Sequence, residues 1–581
     1  MKLCPTCNLV ETDDALRFCR ADGTTLINYS GPIGAEAGTA RFDSAPISRE
    51  IETSILPHTS TTPEISRSTG PTIALPQPEP QNTTRELVKP KRRGVVFTAV
   101  GFAVIVSAAA AYFYLSRNHT TAIESIAVMP FVNESGNADV EYLSDGMTET
   151  LIKSLSQLPN LAVKSRSTVF YYKGKEASPK KIGEELGVQA VLLGRVGGRG
   201  DDLKLSLELV NTQTQDVIWS EQYQRKQSDL VSLQSEIARD VSTNLKAKLS
   251  GEDSAKVEKT YTTNSEAYQL YLKGRFSWNK RTPETLKQAV GFYGQAIEKD
   301  PNFALAFSGL AETYVLFSFY GLTPAKESMP KAKAAIDRAL AIDDSLAEAH
   351  AARGKYLAFF EFDRSGSERE FRRAIELNPN YATAYQWLGL DFLVLTRRFN
   401  EGIRELKRAG EIDPLSPVIG SDTANAFSYA GRFDEAIDQA RRTLELEPGF
   451  SYAHTSLGYA LHGKGQFAEA ISAYEKAISL SDDGYTRAVL IRALMQAGRR
   501  SEADRQMEAL RTLASKNYVP NFCFAIAHTA LGNKEAAIAM LEKDVEERSS
   551  YVVTIGIELG LNELRDDPRF KAMLKRMNLP E

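Results

Sequence analysis

Residues 447–480 read EPGFSYAHTSLGYALHGKGQFAEAISAYEKAISL, and this stretch decides the fold. Glu447-Pro448 ends one helix and opens the next, because proline has no N–H to give a helix interior. Leu457-Gly458-x-x-Leu461 follows on the first helix of the unit. Ala470 and Ala477 lie two turns apart on the second helix, with Tyr474 beside them. Small residues at that spacing let antiparallel helices approach closely, and the aromatic packs into the space they leave. The signature recurs. Corners stand at Asp300-Pro301, Asn378-Pro379 and Asp413-Pro414, while Asp344 and Asp482 take the proline slot, giving spacings of 43, 35, 35, 34 and 34. First helices carry Leu310-Ala311-x-x-Tyr314 and Leu388-Gly389-x-x-Phe392. Second helices carry Ala289, Ala296, Ala332, Ala339, Ala374, Ala409 and Ala436, with Tyr293 and Phe371 alongside. A pair of such helices cannot bury its apolar face alone, so the pairs must stack.

The pattern is similar to the tetratricopeptide repeat. The resemblance covers residues 265–581 and implies an all-α solenoid of roughly eight units with a C-terminal cap. The first spacing of 43 places an insertion near Phe319–Ser328. Beyond Asp483 no proline stands at the expected place, and terminal units are often atypical because they cap the stack. Asp566-Asp-Pro-Arg-Phe570 begins the last short helix, read as that cap. The family's concave groove, lined by first helices, implies a protein or peptide partner. Carried over unit by unit, its positions are Thr383, Gln386, Asn425, Tyr452, Thr455, Tyr459 and His462. Taken singly, each also fits an ordinary solvent-facing residue. Cys523 reads as a buried small apolar residue.

Upstream, residues 121–250 alternate strands and helices, so the fold class is multidomain, an α/β domain followed by the repeat solenoid. Ser125 to Val132 is a β-branched apolar run that reads as a buried strand. Ser144-Asp145-Gly146 offers an N-cap for a helix carrying Met147, Leu151 and Leu155. Ala190–Val196, Leu203–Val210 and Val217–Tyr223 form a strand meander. Leu233, Ile237, Val241, Leu245 and Leu249 make one stripe of a final helix. The blocks SIAVMPFVNESG, IGEELGVQAVLLGRV and LELVNTQTQDVIWSEQYQR resemble the FlgO-like, TolB amino-terminal-like domain. That resemblance implies an interaction or envelope-associated module of bacteria, not an enzyme.

Residues 94–115, GVVFTAVGFAVIVSAAAAYFYL, contain no charged side chain and match the length of a bilayer core. Lys89, Lys91, Arg92 and Arg93 precede the run, so the charge bias predicts a single-pass inner-membrane helix with the N-terminus cytosolic and the C-terminal domains outside the cytoplasm. Residues 29–88 are rich in Ser, Thr and Pro and read as a disordered linker. Three of the four cysteines fall in residues 1–28. Cys4-x-x-Cys7 and Cys19-x-x-Asp22 offer three thiolates and a carboxylate, a donor set suited to a structural Zn²⁺ in a zinc-ribbon-like head. The segment resembles short zinc-ribbon heads of bacterial membrane proteins.

Lys plus Arg is 70 and Asp plus Glu is 74, a net charge of −4 that excludes a strongly basic nucleic-acid binder. Four cysteines exclude a disulfide-dense scaffold. P-loop, zincin, nucleophile-elbow and protein-kinase motifs are absent. The expected function is a non-enzymatic, membrane-anchored protein–protein interaction scaffold of the bacterial cell envelope. The alternative is a transmembrane signalling protein coupling an exterior sensor to the cytosolic zinc ribbon. A cryptic hydrolase in the α/β domain is the least supported reading.

Overall fold

The computed structural model describes residues 123–136, 140–158, 160–245, 255 and 258–581, and the backbone of three short strands nearer the N-terminus. The chain divides into two units, Met1–Gly101 and Phe102–Glu581. In the first, β1 (Lys2–Leu3) pairs antiparallel with both β2 (Val10–Glu11) and β3 (Ile27–Asn28). Cys4, Cys7, Cys19, Asp22, the linker and the apolar run 94–115 lie outside the described residues. Among the described residues no helix is long and apolar enough to cross a membrane.

The second unit begins with β4 (Ser125–Val128), whose Ile126, Ala127 and Val128 are fully buried. Such a two-faced apolar strand belongs in the middle of a partly parallel sheet. It pairs in parallel with β6 (Ala162–Val163) and β7 (Ala190–Arg199). β5 (Val132–Asn133) extends the parallel edge of β7. The meander β7, β8 (Asp202–Asn211) and β9 (Val217–Lys226) completes the order β6-β4-β7-β8-β9. The helix Pro179–Leu186 starts under Ser178, whose Oγ accepts from the Lys181 amide, and stops at Gly187 with φ +63°. The helix Leu230–Asn244 buries Leu233, Ile237 and Val241 as the apolar stripe predicts, and Leu249 lies outside the described residues.

One local expectation is corrected. The helix runs Glu141–Ser156, so Ser144, Asp145 and Gly146 sit inside it rather than capping it. Asp145 is held there by the Lys173 ammonium at 2.6 Å. Gly146 is needed for contact: a Cβ there would lie 2.9 Å from Leu272 of the solenoid.

Residues 265–547 form eight antiparallel helix pairs. The first helices are Ser265–Asn279, Ala304–Phe317, Ala347–Tyr356, Ala382–Gln386, Pro417–Tyr429, Ser451–Gly463, Gly484–Gln496 and Asn521–Ala530. The third and fourth widen into π-helix over Leu357–Glu361 and Trp387–Val394. The second helices are Pro283–Lys299, Ala325–Ile342, Arg364–Leu377, Phe399–Ile412, Phe433–Leu446, Phe467–Leu480, Arg500–Ala514 and Lys534–Glu547. The extra residues of unit two form the loop 318–324, where the long spacing put them. Within units, glycine backs onto an aromatic ring. A Cβ at Gly274 would lie 2.5 Å from Tyr293, and one at Gly458 would lie 2.6 Å from Tyr474.

Two features close the solenoid in ways its repeats do not encode. The C-terminal residues after Glu547 fold back onto units two to four. Arg364 donates to the Met577 carbonyl at 2.9 Å, Arg397 to the Gly556 carbonyl at 2.9 Å, and Asn578 to the Phe362 carbonyl at 3.1 Å. Tyr551 packs on Phe319 at 5.7 Å. The α/β domain grips units one, three and four. Asn380 donates to the Ser156 carbonyl at 3.0 Å, Thr168 donates to Asp413 at 2.8 Å, and Lys153 meets Glu348 at 2.9 Å. Asn378 and Asp413, read as corner residues, therefore also dock the α/β domain.

Candidate functional site

The first helices, the α/β domain and the returning C-terminal segment line a partly open chamber of about 1430 Å³. Its wall against the α/β domain is ionic. Arg275 bridges Glu149, 2.6 Å away, and Glu312, 2.8 Å away. Arg166 reaches Glu149 at 3.1 Å, Asn279 donates to it at 2.6 Å, and Tyr381 donates to Glu312 at 2.9 Å. Burial pushes the Glu149 carboxyl up, but Arg275 and Arg166 outweigh it and hold it below the ordinary range. Glu312 has the weaker partners, and burial leaves it raised.

The middle of the chamber is built by units three and four. Lys355 is 6% exposed and donates to Asp391, 9% exposed, at 2.6 Å. Its ammonium also lies 4.7 Å from the Phe319 and Trp387 ring centres and 5.3 Å from Phe359. Three ring faces and one carboxylate form a complete box for a cation. The π-helical turns of units three and four carry Phe359, Trp387 and Asp391. The widened turn re-aims these side chains away from ordinary helical spacing.

A hydrogen-bonded ladder continues over units four to seven. Gln386 donates to Asp422 at 2.7 Å and Tyr452 donates to the other Asp422 oxygen at 2.9 Å. Asn425 donates to the Tyr452 hydroxyl at 2.8 Å. One turn further on, the Thr455 and Thr486 hydroxyls meet at 2.9 Å, and Thr486 donates to Asp483 at 2.6 Å. Burial, with Asp391 nearby, raises the Asp422 carboxyl from 3.8 to about 7, against the pull of Gln386, Tyr452 and Lys355.

Of the residues carried over from the repeat resemblance, Thr383, Gln386, Asn425, Tyr452 and Thr455 line this chamber together. Tyr459 and His462 do not. Tyr459 donates to Glu558 of the C-terminal segment at 3.0 Å, and His462 donates to Gln496 at 2.7 Å. Burial pushes His462 down to about 4, with Arg492 adding to the effect, so the ring is neutral. The C-terminal segment fills the part of the groove that Tyr459 would otherwise face. Cys523 is buried on the chamber wall, and burial pushes its thiol well up, which leaves it a poor nucleophile. Among the described residues no three His, Cys, Asp or Glu side chains are grouped to hold a metal ion.

The sequence reading passed over Lys355, Asp391 and Asp422 because charged helical residues are ordinarily solvated. A signal was present. Asp391 interrupts WLGLDFLV and Asp422 interrupts the small, apolar run around VIGSDTANAF. A carboxylate inside a stretch that must pack on its neighbours is buried by its context.

Residues 122–240 match the family described as HilA/YgeH-like transcriptional regulator, second domain. Residues 421–485 match the tetratricopeptide repeat family. A Rhizobium meliloti (strain 1021) protein named "Putative adenylate cyclase 3" is 30% identical over 229 residues, 39% of each chain. The transcriptional regulator HilA of Salmonella typhimurium (strain LT2) is 24% identical over 155 residues, 27% of this chain and 28% of HilA. The chain thus spans well under half the length of these curated relatives. Among solved structures, PilF of Pseudomonas aeruginosa aligns with 20% identity over 36% of this chain and 92% of its own, with a TM-score of 0.28. The tetratricopeptide repeat match at residues 421–485 thus falls within a solenoid of eight helix pairs that follows an α/β domain.

Proposed function

We propose that the protein is a non-enzymatic interaction scaffold that holds a polypeptide segment of a partner in the chamber. The observation that carries this reading is the ladder from Gln386 to Asp483, which presents polar side chains of four consecutive units to one partly open chamber. Extended chains bind solenoids through repeated side-chain contacts of this kind. A photo-crosslinking residue placed at Thr383 or Tyr452 of the full chain should capture the same partner at both sites. One placed at the exposed Glu475 on the outer face should not. Equal capture at all three positions would refute the reading.

The apolar run 94–115 is the proposed single-pass anchor, with the folded part outside the cytoplasm of a bacterial cell. A topology reporter fused after Glu581 that is active only in the cytosol would reverse that placement. Cys4, Cys7, Cys19 and Asp22 are the proposed ligands of a structural zinc ion, checked by the metal content of the full chain and its Cys4→Ser variant.

A second reading is favoured by one observation: the relatives sharing part of this sequence are named as an adenylate cyclase and a transcriptional regulator. On that reading the α/β domain and solenoid form the sensing half of a signalling protein, and the N-terminal head recruits its cytosolic target. Deleting residues 1–88 should abolish the output if this holds and leave it intact if the scaffold reading holds.

A further inference from the structure

Most buried carboxylates that line the chamber have an evident intramolecular role. Glu149 and Glu312 pair with Arg275, Glu348 with Lys153 and Asp391 with Lys355. Asp483 caps the helix Gly484–Gln496, and Asp413 docks the α/β domain. Asp422 is different. It is 6% exposed, sits mid-helix, and among the described residues makes no ion pair. Its two donors, the Gln386 amide and the Tyr452 hydroxyl, are neutral. An asparagine or serine oxygen would accept from them without the expense of burying a charge. Burial outweighs what Gln386, Tyr452 and Lys355 contribute, and with no ion pair among the described residues the fold leaves the negative charge of Asp422 under-compensated.

The neighbouring wall shows what such a charge is suited to hold. Lys355 occupies the box made by Asp391, Phe319, Phe359 and Trp387, so the chamber already contains one desolvated ammonium. Asp422 places a second buried carboxylate on the chamber wall one unit on. Tyr452 and Tyr429 line the chamber near it, and among the described residues no cation is paired with it. Of the lining cations without an ion pair among the described residues, Lys280, Arg281 and Lys287 belong to unit one and Lys516 follows the second helix of unit seven, while Asp422, Asp482 and Asp483 line the part built by units five to seven.

We propose that Asp422 is the anchor for a lysine or arginine side chain of the bound partner, and that the chamber therefore selects a basic peptide segment. This rests on the scaffold reading above. The favourable term is the pairing of a buried carboxylate with a cation that the rings partly desolvate. Selectivity follows from the same geometry, since an acidic segment would place like charges together in a low-dielectric space.

The test uses the full chain and three fluorescein-labelled peptides, alternating lysine–alanine, serine–alanine and glutamate–alanine. Fluorescence anisotropy should rank the lysine peptide tightest. Asp422→Asn should weaken it at least about tenfold, and the outer-face Glu475→Gln should leave it unchanged. Asn425→Lys, which sets a cation beside Asp422, should also abolish it. Unchanged lysine-peptide binding in Asp422→Asn would overturn the inference, because the peptide would then be held elsewhere. If the serine or glutamate peptide binds as well or better and crosslinks at Thr383, the inference falls and the scaffold reading stands. If no peptide crosslinks at Thr383 or Tyr452, both fall.

Discussion

Asp422→Asn is expected to make the protein more stable at neutral and alkaline pH. The folded-state carboxyl is raised from 3.8 to about 7 by burial and by Asp391, with Gln386, Tyr452 and Lys355 opposing. A raised acid pKa means that the folded state holds the proton more tightly than the unfolded one. Stability is then lost as pH rises from the unfolded value through the folded one, and the loss is complete above about pH 7. At about 1.4 kcal/mol per tenfold, the full cost is at most about 4 kcal/mol. Asparagine keeps an oxygen for Gln386 or Tyr452 and has no charge to bury. The variant should match the wild type near pH 4 and exceed it progressively, by up to that amount, at pH 8. Urea unfolding followed by circular dichroism at pH 5 and pH 8 measures the difference. Equal or lower stability of the variant at pH 8 would show that the charge has an intramolecular partner, and the argument for a bound cation would lose its premise.

Other expectations follow from single contacts. Lys355→Met leaves Asp391 buried without its cation and should cost about 3–5 kcal/mol, while Lys355→Met with Asp391→Leu should recover most of it in the same unfolding assay. Gly458→Val drives atoms into Tyr474, already 2.6 Å from a Cβ, and should cost about 1–3 kcal/mol. Gly410→Ala, on an open helical face with nothing within 4 Å, should instead stabilise by about 0.5–1 kcal/mol. Arg364→Ala with Arg397→Ala frees the Met577 and Gly556 carbonyls, and hydrogen exchange across residues 552–576 should accelerate while units five to seven stay protected.

The helix pairs were legible because their signals are local. The corners at Asn378-Pro379, Asp413-Pro414 and Glu447-Pro448 and the alanines two turns apart depend only on neighbours in sequence. The Ser144-Asp145-Gly146 reading failed for the opposite reason. Those residues have good capping chemistry, but Lys173 and Leu272 hold them inside a helix that began earlier. Closure of the solenoid was illegible altogether. Arg364 finds Met577 across more than two hundred residues, and no repeat position announces such a contact. Thr383, Gln386, Asn425, Tyr452 and Thr455 line the chamber where its wall is built by first helices. Tyr459 and His462 lie off it, where the C-terminal segment and the next unit take up their side chains.

The ionic wall bears on how the chamber communicates with the α/β domain. A buried cluster such as Glu149–Arg275–Glu312 stabilises little in net terms, because desolvation offsets most of its attraction. Its strength lies in geometry, since an arginine shared by two carboxylates tolerates only a narrow range of positions. Glu149 belongs to the α/β helix, Arg275 to unit one and Glu312 to unit two, and Tyr381 ties Glu312 to unit four. Relative movement of units one, two and four therefore breaks hydrogen bonds to the helix Glu141–Ser156. A ligand that altered the spacing of these units would be felt there, whereas one seated on the outer face would not. That difference is the physical content of a sensing role. It predicts that Arg275→Lys, which keeps the charge but loses the two-way fork, uncouples the domain from the chamber while leaving each folded.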